Sequence, residues 1–238
     1  PKEIQNKYFY GEPVGRIVRQ VNTEKSEGLS YIQNPYREAQ SEFIQSTDPL
    51  FRPVDMATAP DGTMYIVDMY RGIIQQGNWT QEGSYLRTKI QQYQMDDIAG
   101  NGRIWSLTYE GMERNTEKPR MYEETSAELV RHLSNPNGWW RDQAQQLIIL
   151  NQDKSVVKDL EKLVNSSDNE LARIHALWTL EGLNSLKVDM IRKLMKDSNP
   201  KIRIQALRAS ESLYKYGEKS LAADYRTMVK DSDVDVAF

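Results

Sequence analysis

One phrase, repeated at a nearly fixed interval, governs the C-terminal half of this chain. Asn137-Gly-Trp-Trp-Arg141-Asp-Gln-Ala144 is followed by Asn169-Glu-Leu-Ala-Arg173-Ile-His-Ala176 and then by Asn199-Pro-Lys-Ile-Arg203-Ile-Gln-Ala206. A fourth copy, Asp231-Ser-Asp-Val-Asp-Val-Ala237-Phe238, starts and is cut short, and the aligned alanines are 32, 30 and 31 residues apart. A period of about 30–45 residues holding two amphipathic helices marks an α-solenoid, in which each unit buries its apolar face by stacking on its neighbours. The apolar spacing agrees. Leu129, Val130 and Leu133 share one helix face, and Ala144, Leu147 and Ile148 the next. Leu160, Leu163 and Val164 lead to Ala176, Leu177 and Leu180; Ile191, Leu194 and Met195 lead to Ile204, Ala206, Leu207 and Leu213. An Asn or Asp ahead of each second helix supplies its start signal. A solenoid needs a capping repeat over its last apolar face, so the interrupted fourth copy leads us to expect a piece of a larger protein.

Residues 1 to about 110 follow a different period. Lys7-Tyr-Phe-Tyr10 and Gly15-Arg-Ile-Val-Arg-Gln-Val21 are short runs rich in β-branched and aromatic residues, separated by Gly11-Glu-Pro13. Val54-Asp-Met-Ala-Thr58 and Thr63-Met-Tyr-Ile-Val-Asp68 flank Pro60-Asp61-Gly62. In that turn Pro presets φ, Asp bonds its own backbone and Gly supplies a positive φ, so the two runs read as a hairpin. Gly102 to Tyr109 reads as another strand, and Leu86, Ile90 and Tyr93 have the spacing of a short helix set in the loop between. Several short strands with glycine turns predict an all-β architecture, and this length suffices for about two propeller blades of roughly 40–50 residues. The expected organisation is C-terminal blades of a β-propeller over 1–110, a polar linker over 111–125 and a solenoid over 126–238.

Composition narrows the chemistry. With no cysteine, these residues form no disulfide, no cysteine–zinc or iron–sulfur site and no covalent c-type haem attachment. With two histidines, His132 and His175, they build no multi-histidine metal site. Net charge is −3 with Lys and Arg scattered, which argues against a nucleic-acid or membrane-surface footprint. No apolar run approaches the length of a membrane span.

The densest polar chemistry lies in the hairpin region, at Arg52, Asp55, Asp68, Tyr70 and Arg71. Strand alternation puts Asp68 and Tyr70 on one side and Met69 and Arg71 on the other. Facing a central channel, Asp68 would accept from a substrate hydroxyl or ligate Ca²⁺. Arg52 or Arg71 would grip a carboxylate-rich cofactor bidentately. The other reading is that these groups make structural bonds between neighbouring blades, since buried charges are paired in any fold. Asp96-Asp97 reads as a solvated loop, and His132, His175, Trp139, Trp140 and Trp178 as packing residues. Arg141, Arg173 and Arg203 recur three residues before the aligned alanine. That periodicity argues for a structural ladder bonding carbonyls or acids of the adjacent repeat, with Val234 at that position in the fourth copy.

Two stretches resemble a known family. Phe51-Arg-Pro-Val-Asp-Met-Ala-Thr-Ala-Pro-Asp-Gly-Thr-Met-Tyr-Ile-Val-Asp-Met-Tyr-Arg-Gly-Ile-Ile74 resembles the last-blade signature of bacterial membrane-bound dehydrogenases related to the sorbosone and soluble glucose dehydrogenase propellers. Glu12 to Arg19 and Gly102-Arg-Ile-Trp105 fit the strands around it, and Asn135 to Ala144 resembles the first HEAT repeat that follows the propeller in that family. The resemblance implies a periplasmic or cell-envelope protein, often lipid-anchored, that oxidises a sugar or aldehyde in a quinone- or haem-linked reaction. Pyrroloquinoline quinone (PQQ), Ca²⁺ or haem c would then belong to the intact protein, with none held by this chain alone, and the solenoid would be its docking arm. No residue of the β-half is an evident base, because that half has no histidine. The competing expectation is a non-enzymatic binding or scaffold subunit of an envelope complex, holding a protein partner, the remaining domains of the same polypeptide, or a carbohydrate.

Overall fold

The computed structural model describes residues 4–5, 7–26, 28–74 and 77–238. The chain divides into two compact units, one up to Thr116 and the other from Glu117 to Phe238.

Among the described residues the first unit carries seven strands, β1 (Tyr8–Glu12), β2 (Ile17–Ser26), β3 (Leu29–Gln33), β4 (Ile44–Gln45), β5 (Pro53–Thr58), β6 (Met64–Asp68) and β7 (Arg103–Leu107), and one α-helix, α1 (Tyr85–Gln92). All pairings are antiparallel. Propeller blades running into a HEAT-like solenoid are not the architecture found: the first unit consists of two small open sheets. The reason lies in β2. Its first half, Ile17–Val21, pairs with β1, and Ile17 and Val18 also pair with β4; its second half, Asn22–Ser26, pairs with β3. No row of residues therefore crosses four strands, as a blade requires. β5, β6 and β7 form a separate three-stranded sheet.

Val18, Phe51 and Ile66 make the small core of this unit, with Phe9, Phe43, Ile44, Met56 and Met64 packed against it. The β5–β6 turn has the expected chemistry: Gly62 takes φ +88°, and the Asp61 carboxylate accepts from the Thr63 amide and hydroxyl. At Gly11, β1 approaches β5 so closely that a Cβ would lie 2.5 Å from the Pro53 carbonyl oxygen.

The second unit is all α. Along the chain its helices fall into successive pairs, α2 (Ser126–His132) and α3 (Gly138–Asn151), α4 (Val157–Ser166) and α5 (Glu170–Gly182), α6 (Val188–Leu194) and α7 (Pro200–Lys215), then α8 (Leu221–Met228) and α9 (Val234–Ala237), which both pack on α7. Asn137, Asn169, Asn199 and Asp233 each cap the second helix of a pair with a side-chain oxygen. Second helices pack on one another in sequence, α3 on α5, α5 on α7 and α7 on α9. Ala144, Ala176 and Ala206 lie at those contacts with no exposed surface, in a core that continues through all four pairs.

The fourth copy needs a new register. Its cap is Asp233, so the position four residues on, held by Arg141, Arg173 and Arg203 in the other pairs, is Ala237 rather than Val234. Val236 takes the buried place of Trp140, Ala172 and Ile202. No described helix is long and apolar enough to cross a membrane.

Candidate functional site

In the first unit, the hairpin's polar residues meet where β6 ends. Asp68 is 1% exposed, and its oxygens serve the chain itself. Oδ1 accepts from the Arg52 amide at 2.7 Å and the Tyr70 amide at 2.8 Å, and Oδ2 accepts from Trp105 Nε1 at 3.0 Å. One carboxylate thus ties the entry to β5, the exit from β6 and the edge strand β7. Arg52, 8% exposed, spreads its guanidinium over backbone carbonyls. Nε donates to Arg71 at 2.9 Å, Nη2 to Gly72 at 2.9 Å, and Nη1 to Pro13 at 2.6 Å and Val14 at 3.3 Å. Burial pulls this group below its ordinary pKa with help from Arg16, while Glu12 and Asp68 oppose the shift.

The remaining members of the cluster depart from simple alternation. β6 stops at Asp68, and Tyr70 takes a left-handed φ of +43°, so Tyr70 does not continue a strand face. Its ring lies 3.4 Å from the Arg103 guanidinium carbon, a cation–π contact, and Asp48 beside it pushes the phenol above its usual range. Arg71 contributes its carbonyl to Arg52 while its side chain is exposed. Asp55 stands apart on the opposite, solvated face, accepting from the Met56 amide. Arg52, Asp68 and the backbone of Tyr70 and Arg71 are therefore brought together; the side chains of Asp55 and Arg71 are not.

Trp105 and Arg103 belong to the cluster and were missing from the residues singled out in sequence. The signal for them was in the strand Gly102-Arg-Ile-Trp105, whose register sets Trp105 beside Ile66 and Arg103 beside Asp68. This donor set does not fit Ca²⁺ or a carboxylate-rich quinone. Among the described residues Asp68 is the carboxylate hydrogen-bonded within the Arg52–Asp68 network, and its oxygens already accept three N–H bonds. Arg52 donates from each of its three nitrogens to backbone carbonyls. Among the described residues no group of three or more His, Asp or Glu side chains converges to hold a metal.

On the outer face of the same sheet, Tyr65, Val67 and Ile104 form an exposed apolar row with Ala57 and Ser106. Every residue of β7 except Leu107 is exposed; Ile104 is 67% and Trp105 45% open to solvent.

In the second unit the recurring arginines bond loops together. Arg173 Nε donates to the Val164 carbonyl at 2.8 Å and Nη2 to Asp197 of the next pair at 2.5 Å. Arg203 donates through Nη1 to the Asp197 and Ser198 carbonyls, and grips Asp231 of the next pair with Nε at 2.9 Å and Nη2 at 2.7 Å. Arg141 donates through Nη1 to the Asn135 and Pro136 carbonyls at 2.6 and 2.9 Å. Other polar side chains link second helices: His175 Nδ1 pairs with Gln145 Oε1 at 2.7 Å, and Trp178 Nε1 donates to Gln205 Oε1 at 2.8 Å. His132 stacks on Trp140 and pairs with Glu124. Asp96 and Asp97 are solvated.

Residues 1–111, nearly the whole first unit and just under half of the chain, match a family described as a domain of unknown function (DUF7133). No curated protein matches the chain.

Proposed function

We propose that this chain is a protein-binding module whose first unit receives an extended segment of a partner protein along β7. The observation that carries this reading is the state of that strand. Among the described residues β7 pairs with β6 alone, and it presents Ile104 to solvent beside the apolar row of Tyr65 and Val67, with Trp105, 45% exposed, on the other face of the strand. An open edge offers unpaired N–H and C=O groups, which proteins normally protect unless the edge is used. A contiguous apolar strip next to it supplies side-chain pockets for strand addition. The opposite edge of this sheet is different, because β1 packs along β5. Oxidation of a sugar or aldehyde by this portion of the chain would ask Arg52 and Asp68 for free polar groups, whereas both are engaged with the chain's own backbone and Trp105. The family resemblance suggests that the partner belongs to the cell envelope.

The test is selection of random displayed peptides on the immobilised full chain. Enriched peptides should alternate apolar and polar residues, and Ile104→Lys should abolish their binding while leaving the melting temperature unchanged. Enriched peptides that bind the Ile104→Lys chain equally well would overturn the proposal.

A further inference from the structure

In the second unit, Arg141 and Arg203 hold the same pose with one difference. Both stand four residues after the cap of a second helix, and both donate through Nη1 to the two loop carbonyls ahead of that cap, Asn135 and Pro136 for Arg141, Asp197 and Ser198 for Arg203. In Arg203 the remaining edge of the guanidinium, Nε and Nη2, closes on both oxygens of Asp231. Asp231 Oδ1 also accepts from the Asp233 amide at 2.8 Å, so one carboxylate braces its own loop and holds the arginine of the preceding pair. Asp197 does the same double duty, through the Asn199 amide at 2.9 Å and Arg173 at 2.5 Å.

At the position of the next pair that corresponds to Asp197 and Asp231, two residues before the cap, the residue is Ser167. Its hydroxyl accepts from the Asn169 amide at 3.1 Å, which reproduces the loop brace, but it has no second oxygen for the arginine. Arg141 Nε is accordingly buried without a hydrogen-bond partner. Asp142 is the acid that acts on Arg141, yet it is the next residue on the helix, where neighbours point apart, and its side chain is 62% exposed. His175, 3.9 Å from Asp142, is the other titratable group here, and its pairing is with Gln145.

We infer that the Nε/Nη2 edge of Arg141 is a binding site for a carboxylate, which occupies the position that Asp231 fills against Arg203. The edge is already aimed by two carbonyl contacts, and a buried guanidinium N–H without an acceptor favours any ligand that supplies one. A planar carboxylate satisfies Nε and Nη2 together, as Asp231 does.

The test follows the Arg141 Nε–Hε NMR signal of the full chain, assigned by its loss in Arg141→Lys. Sodium acetate, and separately a blocked Gly-Asp-Gly tripeptide, are titrated against sodium chloride at constant ionic strength. The expected result is a saturable shift toward the Arg203 Nε position. In Ser167→Asp the signal should start near that position and ignore both ligands. A larger response to the tripeptide assigns an acidic side chain as the natural occupant, and an equal response a free carboxylate. Should Ser167→Asp fold poorly, the Asn169 amide serves instead, responding in the wild type and not in Arg141→Lys. No response beyond that to chloride, or an undiminished response in Ser167→Asp, would overturn the inference.

Discussion

Replacing Asp68 by asparagine keeps the Oδ1 that accepts from the Arg52 and Tyr70 amides and turns the atom facing Trp105 Nε1 from an acceptor into a donor. Two donors then oppose each other, one of them buried, and Asp68→Asn should destabilise the first unit by about 1–3 kcal/mol. The check is denaturant unfolding with faster amide exchange in β5–β7; unchanged stability would mean that the carboxylate's bonds do not hold the three segments together. Sequence pattern alone located Arg52 and Asp68, because charge inside a β-rich run is conspicuous. It misplaced Tyr70, since alternation assumes that the strand continues, whereas β6 stops at Asp68 and Tyr70 takes a left-handed φ. Trp105 escaped because an aromatic residue in a strand reads as packing, and only its register beside β6 reveals the indole N–H as a donor to Asp68.

Among the elements, the capped second helices were the most legible. An Asn followed by a 3.6-residue apolar period specifies both the start of a helix and its buried face. The β5–β6 hairpin was equally plain from Pro-Asp-Gly. Spacing read from alanines failed at the fourth copy because the interval between caps lengthens there, from 30 residues between Asn169 and Asn199 to 34 between Asn199 and Asp233. The recurring Asn-x-Asn, Ser-x-Asn, Asp-x-Asn and Asp-x-Asp ahead of each second helix would have given the correct register, since the first residue of each braces the amide of the cap. These caps also reach across pairs. Asn199 Oδ1 accepts from the Lys201 amide while Nδ2 donates to Glu170 Oε2 at 2.7 Å. Aspartate caps a helix as well as asparagine does, but Asn199→Asp would set a second carboxylate against Glu170. We expect Asn199→Asp to cost on the order of 1 kcal/mol despite its good cap, a loss similar to that of Asn199→Ala. A neutral Asn199→Asp, measured by thermal unfolding, would show that the bond to Glu170 contributes nothing.

For the whole molecule, the pH dependence of stability has a definite sign. Burial and Arg141 hold the His175 imidazole below its ordinary pKa, with Asp142 opposing. Between the folded value and the unfolded value near 6.5 the unfolded chain binds the extra proton, so stability falls as pH drops through that window. His175→Gln, whose amide can still reach Gln145, should flatten stability between about pH 7 and 5; an unchanged slope would remove His175 as its source. At lower pH the carboxylates take over. Arg203 and the Asp233 amide hold Asp231 low, while burial pushes Asp197 up and Arg173 with the Asn199 amide outweigh it. Their contribution is complete above the unfolded value near 4 and is lost as pH falls through the folded ones.

The architecture of the first unit was the least legible part of the chain. Short strands and glycine turns are shared by blades and by small open sheets, and the deciding fact, that β2 divides its length between different partners, is a long-range pairing with no local signature. That same pairing leaves the three-stranded sheet separate and the edge of β7 open, so backbone exchange there bears most directly on the binding reading. Amide hydrogen exchange of residues 103–107 should be fast at the outward-facing N–H groups of the free chain and slow by at least an order of magnitude when a selected peptide is bound. Protection of those amides in the free chain, or protection by the peptide elsewhere with β7 unchanged, would contradict the account.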